Sequence, residues 1–174
     1  MCDIFIDRKH GVEKILSLFN RKKMNNSIYS SKDDILPISK YKSYKHIASM
    51  NWHIIAKYLS PIKKNAIAID LGSTTTDFIL LKNSKCINKR VDDYTGLLSS
   101  ELLYSGVLRT PIFSVTKQIR FNTQIYPLIP EYYATMGDIY RVLGIISPKD
   151  DYSETADGRS KSEINSLKRI SRIF

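Results

Sequence analysis

The stretch AIAIDLGSTTTDFILL, which runs from Ala66 to Leu81, constrains the fold of this chain more than any other segment. It starts as an apolar strand that ends near Asp70, passes through Gly72 and four hydroxyl residues to Asp77, and then becomes apolar again. This pattern predicts a strand, a turn at Gly72–Thr75 and a second strand. Because the protein alone cannot satisfy so many neighbouring hydroxyls, we expect a polar ligand at the turn.

The residue types in this turn suit a phosphate group. Gly72 has no side chain, so the backbone can approach an anion closely, and the amides that follow can form an anion-binding nest. The hydroxyl donors are Ser73, Thr74 and Thr75. Asp70 is placed to hold a hydrated Mg²⁺, and Asp77 would orient the loop or share the metal. The alternative is a threonine-rich hairpin corner in which both aspartates cap backbone amides.

Composition indicates a globular chain with a basic excess. Of the 174 residues, 43% are hydrophobic and 25% are charged, which allows a domain with a real core. The two cysteines form neither a metal spacing nor a disulfide framework. The net charge is +10, and the segment from Met1 to Lys64 carries 13 basic and 5 acidic residues. The lysines are scattered and no nucleic-acid motif accompanies them, so nucleic-acid binding is not favoured.

No apolar run approaches the length of a membrane span, and no basic-then-apolar signal peptide follows Met1. We therefore expect a soluble, cytoplasmic protein with no membrane partner.

Hydrophobic periodicity predicts the other elements of an α/β fold. Helices are expected over Gly11–Lys23 and Tyr44–Pro61, near Asp93–Gly106, over Pro130–Gly144, and after a capping box formed by Ser160 and Glu163. Strands are expected over Phe78–Lys82, Cys86–Arg90 and Ile119–Leu128, with a turn at Asn83 and Ser84 between the first two. Asn25–Lys45 is polar and predicts a long loop.

Two further segments carry candidate ligand-binding side chains. On the helix predicted after Pro130, Glu131, Thr135 and Asp138 fall at i, i+4 and i+7 and form one polar stripe. Such a stripe is either a solvated face or the wall of a cleft. In the segment SGVLRTP, Arg109 could hold a phosphate or a carboxylate with two hydrogen bonds, or lie on the surface.

The segment AIDLGSTTTDFILL resembles the second phosphate motif of the acetate kinase, sugar kinase, Hsp70 and actin superfamily. Five other blocks resemble, in the same order, proteins related to hydantoinase A and oxoprolinase that are linked to tetrahydromethanopterin-dependent one-carbon transfer. These blocks are CDIFIDRKHGVEKIL, IASMNWHIIA, ELLYSGVLRTPI, EYYATMGDIYRVLG and ETADGRSKS. The resemblance covers nearly the whole chain, and a methanofuran-precursor synthase is among these proteins.

The resemblance implies an actin-like ATPase (ribonuclease H-like) fold, mainly its second lobe, with a mixed sheet flanked by helices. Residues 1–64 would continue a first lobe, and residues 65–174 would form the second-lobe domain with the phosphate-binding hairpin. The implied catalytic residues are Asp70, which would also hold Mg²⁺, Asp77 and Asp138. The implied phosphate- or substrate-binding residues are Gly72, Ser73, Thr74, Thr75, Arg109, Thr110, Glu131 and Thr135.

The implied function is a step of cofactor biosynthesis, in which a transferase displaces pyrophosphate from an aminomethylfuran diphosphate. One alternative is a hydantoinase-, oxoprolinase- or kinase-like enzyme that takes ATP, a nucleotide substrate, at the same turn. The other alternative is a non-catalytic fragment, or a subunit that needs a separate N-terminal chain or a homo-oligomer.

One departure from the family bears on activity. Relatives begin with an earlier strand and a first phosphate motif of the D-I-G-G type, which this sequence lacks. We therefore expect an exposed sheet face or edge, and an isolated chain that aggregates or binds a partner and is inactive by itself.

Overall fold

The computed structural model describes residues 4–20 and 25–174. Two compact units make up the chain. The first contains the described residues up to Ala68 together with Phe78–Glu101, and the second contains Ile69–Asp77 together with Leu102–Phe174. Within the described ranges, helices alternate with short, mostly antiparallel strands, which gives the predicted mixed α/β class. No helix among these residues has both the length and the apolar character that a bilayer span requires.

The first unit begins with helix α1 (Arg8–Asn20), three residues earlier than predicted. The basic residues predicted at its end, Arg21 to Lys23, lie outside the described residues. Strands β1 (Ser27–Ser30) and β2 (Asp34–Pro37) follow as an antiparallel hairpin. The long loop predicted here is therefore wrong. Its turn depends on the Ser30 hydroxyl, which accepts hydrogen bonds from the amides of Lys32 and Asp33 at 3.2 Å each.

Helix α2 (Asn51–Leu59) is the second half of the helix predicted from Tyr44. The first half is a 3₁₀ turn at Tyr44–His46, and Ser49 then adopts a left-handed conformation with φ of 57°. That conformation interrupts a continuous helix, so the apolar periodicity overestimates its length.

Strands β3 (Ala66–Leu71) and β4 (Thr76–Lys82) confirm the predicted strand, turn and strand, with the turn at Gly72–Thr75. Strand β5 (Lys85–Cys86) pairs antiparallel with β4 across the predicted turn at Asn83 and Ser84. The strand predicted to reach Arg90 is wrong beyond Cys86. There the Asn88 side chain replaces the ladder, because it accepts from the Leu80 amide at 2.8 Å and donates to the Phe78 carbonyl at 2.7 Å.

The core of the first unit forms where α2 packs on this sheet. Trp52, Ala56, Ile79 and Leu81 are its buried members, and the inward face of β3 adds Ala66 and Ala68. Helix α3 (Asp93–Leu98) completes the unit, and the Asp92 carboxylate caps it by accepting from the Thr95 amide at 2.8 Å.

The opposite face of β3 is apolar and exposed. Ile67, Ile69 and Leu71 alternate along it with exposed fractions of 67%, 57% and 62%. In the described part of the sheet, β3 is at the edge and has β4 as its neighbour. The exposed sheet face expected from the sequence is therefore present on this strand.

The second unit contains the remaining elements. They are β6 (Leu102–Leu103), α4 (Ile112–Val115), β7 (Gln118–Phe121), β8 (Gln124–Pro127), α5 (Met136–Val142) and α6 (Glu163–Ile170). Strand β6 pairs antiparallel with the start of β4, and β7 with β8. Ile112, Leu128, Ala134 and Ile173 form the core.

Three predictions in this unit need correction. The single strand predicted over Ile119–Leu128 is a hairpin, because Asn122 and Thr123 both take left-handed conformations, with φ of 49° and 48°. The helix predicted from Pro130 begins only at Met136, although it ends as expected before Gly144. The last helix is capped by Ser162, which accepts from the Asn165 amide, rather than by Ser160.

Candidate functional site

The turn between β3 and β4 is closed and supported by backbone hydrogen bonds within the second unit. The Gly72 amide donates to the Thr75 carbonyl at 2.8 Å and closes the turn. From the neighbouring segment, the Val107 amide donates to the Gly72 carbonyl at 3.0 Å, and the Arg109 amide donates to the Ser73 carbonyl at 2.8 Å. These bonds fix the carbonyl groups of the turn.

Gly106 permits this close approach. A Cβ atom at this buried position would lie 2.5 Å from the Thr74 nitrogen and 2.6 Å from the Gly72 carbonyl oxygen, which no side chain can do without moving the turn. The Gly106 amide donates to the Thr110 hydroxyl oxygen at 2.6 Å. Thr110, predicted to bind substrate, is 3% exposed and supports the loop behind the turn.

Replacing Gly106 with alanine is expected to lower the free energy of unfolding by about 2 kcal/mol, because the new methyl group displaces backbone atoms. Gly158→Ala is the matched control. Its φ is 68° and no atom lies within 4 Å of its added Cβ, so it adds conformational strain without a clash. Equal losses in the two variants, measured by urea denaturation, would show that the contact behind the turn is unimportant.

Several amides of the turn have no acceptor among the described hydrogen bonds. In the described hydrogen bonds, the amides of Ser73, Thr74 and Thr75 donate to no protein group. The Ser73 hydroxyl oxygen lies 3.2 Å from Nη2 of Arg109 and 3.5 Å from the Thr74 hydroxyl oxygen. The structure therefore brings the hydroxyls of Ser73 and Thr74 together with the predicted Arg109. A hydroxyl beside a guanidinium, in a turn whose amides have no described acceptor, is suited to an anion.

A cavity of about 300 Å³ adjoins these donors. Ser73, Leu108 and Arg109 line one part of it, and Asp150–Ser153 line the other. The buried Asp151 carboxylate accepts from Nη1 of Arg141 at 2.6 Å and from the Ser153 amide at 2.9 Å. Burial raises the pKa of Asp151, but these hydrogen bonds and the positive charge of Lys161 together outweigh burial. The pKa of Asp151 is therefore below its usual range. Its negative charge is thus compensated beside the cavity.

Asp70 and Asp77 flank the turn. Asp70 is half-buried near the end of β3, and Asp77 is 6% exposed near the start of β4, where it pairs with Leu102 of β6. Carboxylate and hydroxyl oxygens are the ligand types that a hard cation such as Mg²⁺ prefers. Within the described residues, no three His, Cys, Asp or Glu side chains come together as a metal site.

The polar stripe predicted on the helix after Pro130 is wrong. Glu131 is exposed in the turns before α5 and does not belong to the helix. Thr135 is the buried N-cap residue of α5, and its amide donates to Oδ2 of Asp138 at 3.1 Å. Asp138 itself is only 2% exposed. The three residues therefore do not form a helical stripe.

The sequence profile of the family described as Hydantoinase/oxoprolinase matches residues 4–172. The chain belongs to this family. The resemblance found in the sequence is therefore confirmed, and the family match includes the turn at Gly72–Thr75 and both units.

Two curated relatives of this hydantoinase/oxoprolinase family member are archaeal enzymes named (4-{4-[2-(gamma-L-glutamylamino)ethyl]phenoxymethyl}furan-2-yl)methanamine synthase. The one from Methanocaldococcus jannaschii is 30% identical over 178 residues, which is 100% of this chain and 53% of the relative. The one from Methanococcus vannielii is 41% identical over 113 residues, which is 65% of this chain and 50% of the relative. The chain thus spans about half the length of the curated relatives it matches.

In this hydantoinase/oxoprolinase family member, Asp138 is the centre of a buried ion network that joins α5 to α6. Its Oδ1 accepts from Nη2 of Arg141 at 2.7 Å and from Nε of Arg169 at 2.8 Å. Arg169 has no exposed surface, and its Nη1 also donates to Oδ1 of Asp157 at 3.0 Å. The Ser166 hydroxyl accepts from both arginines.

This network gives Asp138 a structural role between α5 and α6. Burial raises the pKa of its carboxyl, but hydrogen bonds from Arg169, Arg141 and the Thr135 amide outweigh burial and lower the pKa below its usual range. Sequence reasoning missed both arginines. The sequence offered no signal for them, because Arg169 lies in α6 where an amphipathic helix ordinarily carries a surface arginine.

Proposed function

We propose that this protein supplies the diphosphate-binding part of a transferase of cofactor biosynthesis, in which the turn between β3 and β4 holds the leaving group. The observation that carries the proposal is a set of three consecutive amides, at Ser73, Thr74 and Thr75, which donate to no described protein group. The Ser73 hydroxyl of the same turn accepts from Nη2 of Arg109 at 3.2 Å. In this proposal the fold is actin-like and the chain corresponds mainly to the second lobe.

The bond that is formed follows from the name that the two relatives carry, which describes an aryl ether between a phenol oxygen and a furan methylene carbon. The diphosphate leaving group is what the family resemblance implies. We propose that this chain serves the same bond formation. The bond from the furan methylene carbon to the diphosphate oxygen breaks, and its electron pair leaves with pyrophosphate. The phenol oxygen forms the new bond to carbon and loses its proton to solvent.

The turn would stabilise the charge that develops on the leaving oxygens. Amides and the Ser73 hydroxyl donate to those oxygens, and Arg109 contributes a fixed positive charge. Asp70 would hold Mg²⁺ together with the diphosphate, and the bound metal would neutralise further charge on the leaving group. Asp77 would orient the turn from the first residues of β4.

A second feature supports a shared cleft rather than an independent enzyme. The exposed apolar residues Ile67, Ile69 and Leu71 on the edge strand form the type of surface that other polypeptide covers. The chain also spans about half of each relative. We therefore propose that activity requires further polypeptide, beyond the 174 residues, to complete the substrate-binding cleft.

The test is a pyrophosphate-release assay with an aminomethylfuran diphosphate and γ-glutamyltyramine. The 174-residue chain is assayed alone and after co-expression with the remaining half of the Methanocaldococcus jannaschii relative. We expect release only from the combination. In that combination, Arg109→Ala should lower kcat about 100-fold, because one charged donor to the leaving group is lost.

Arg120→Ala is the matched control, since Arg120 is exposed on β7 and lies outside the cavity beside the turn. It should leave the rate unchanged. Release by the chain alone would overturn the requirement for further polypeptide. The diphosphate assignment would be overturned if the combination released no pyrophosphate, or if the two arginine variants had equal rates.

A further inference from the structure

A second, larger cavity lies entirely within the first unit and plays no part in the proposed reaction. It encloses about 610 Å³, which is a volume typical of small-molecule sites. It lies between the 3₁₀ turn at Tyr44–His46, the start of α2, and the segment from Arg90 to Asp92. Residues far apart in the sequence therefore converge on one space.

The lining combines aromatic rings with positive charge. Four rings contribute to it, from Tyr44, His46, Trp52 and His53. The Arg90 guanidinium carbon lies 4.1 Å from the centroid of the Trp52 ring, which is a close cation–π contact. The Trp52 ring also meets His53 edge to face, with centroids 5.2 Å apart. Planar surfaces of this kind favour a planar ligand.

Three cations line the cavity, namely Arg8, Lys45 and Arg90, and Asp92 is the one carboxylate among its lining residues. Arg8 is already ion-paired with Asp93 at 2.5 Å, so the cation that matters for a ligand is Lys45. The Asp92 carboxylate already accepts from the amide and the hydroxyl of Thr95, at 2.8 and 2.7 Å. Its negative charge is thus committed to capping α3, whereas no ion pair of the Lys45 ammonium occurs among the described residues.

Trp52 is buried in the wall of the cavity rather than open to it. It is 4% exposed, and its indole Nε1 is buried without a hydrogen-bond partner among the described residues. A buried indole N–H without a partner is unfavourable, so its environment is sensitive to what occupies the cavity.

We propose that this cavity binds an aromatic carboxylate, with its ring among the aromatic side chains and its carboxylate near Lys45. The proposal does not depend on the function proposed for the turn, because the residues that carry it belong to the first unit.

Trp52 is the only tryptophan of the chain, so its fluorescence reports on this cavity alone. The full chain is titrated with 4-hydroxyphenylacetate, with tyramine, and with acetate. The first two compounds share a phenol ring but carry opposite charges, and acetate has the carboxylate without the ring. We expect 4-hydroxyphenylacetate to change the emission at a concentration at least tenfold lower than either of the other two. Titration calorimetry provides a second measurement in case emission is insensitive to binding.

Lys45→Gln tests the charge directly. Lys45 is exposed at the edge of the cavity, so its replacement should leave the fold intact and weaken binding of 4-hydroxyphenylacetate about tenfold. Lys42→Gln is the matched control, because Lys42 is also exposed, lies three residues earlier and does not line the cavity. Equal binding of the phenol acid and tyramine, equal effects of the two lysine variants, or no heat and no emission change would overturn the proposal.

Discussion

Replacing Asp138 with alanine is expected to lower the free energy of unfolding by about 3–5 kcal/mol. The substitution leaves the guanidinium groups of Arg141 and Arg169 buried without the carboxylate that they share, at 2.7 and 2.8 Å. It also leaves the Thr135 amide at the start of α5 without its acceptor. Urea denaturation, followed by circular dichroism, measures the loss.

Glu131→Ala is the control that separates this explanation from a general effect of removing an acidic residue. The sequence pattern placed Glu131 and Asp138 on one helical stripe, but Glu131 is exposed and should change stability by less than about 0.5 kcal/mol. A double variant, Asp138→Ala with Arg169→Met, should lose less than the sum of the two single losses, because removing both partners leaves one fewer unpaired buried charge. Similar losses for Asp138→Ala and Glu131→Ala would contradict the network.

Local patterns in the sequence predict the central hairpin well. The turn at Gly72–Thr75 follows from an apolar strand, a glycine and hydroxyl residues, which all act within a few residues of one another. The hairpin of β1 and β2 does not follow from such patterns, because it depends on the Ser30 hydroxyl and a left-handed Asp34 within otherwise polar sequence. Side-chain turn chemistry of this kind resembles that of an irregular loop.

In the candidate site, too, adjacent residues could be predicted from the sequence and other features could not. Ser73, Thr74 and Thr75 are adjacent in the sequence, so their grouping could be predicted, and the structure adds Arg109 to them. The helix start at Met136 could not be inferred from periodicity, because Tyr132 and Tyr133 continue the apolar pattern into a non-helical segment. Because the helix was predicted to begin at Pro130, Glu131, Thr135 and Asp138 were predicted to form one polar stripe.

Long-range contacts set the limit of what the sequence reveals. In the sequence, Arg169 resembles an ordinary surface arginine of an amphipathic helix, and its burial becomes evident only from partners 31 and 12 residues away. The cavity around Trp52 is equally hidden, since Arg90 approaches it from a segment far along the chain. The spacing of residues in the sequence carries no information about contacts between such distant segments.

The network is also expected to make stability sensitive to acid. The carboxyl pKa values of Asp138, Asp151 and Asp157 are all lowered in the folded protein. Burial raises each pKa, but hydrogen bonds and neighbouring cations outweigh burial. In the unfolded chain an aspartate titrates near its usual value of about 3.9. The unfolded state therefore binds more protons in acid than the folded state does. The stability that these groups contribute is complete above about pH 5 and is lost as the pH falls through their folded pKa values.

Urea denaturation of the wild type and of Asp138→Ala at several pH values between about 7 and 3 tests this linkage. Glu101 and Asp92, whose pKa values are also lowered, are unchanged in both proteins, so their contributions cancel in the comparison. The wild type should lose more stability across this range than the variant, because the variant lacks one carboxylate whose protonation opposes folding. The difference between the two proteins should accordingly narrow as the pH falls. Two parallel curves would mean that the Asp138 carboxylate has the same pKa in the folded and unfolded chain, and hence that its ion pairs with Arg141 and Arg169 do not favour its charged form.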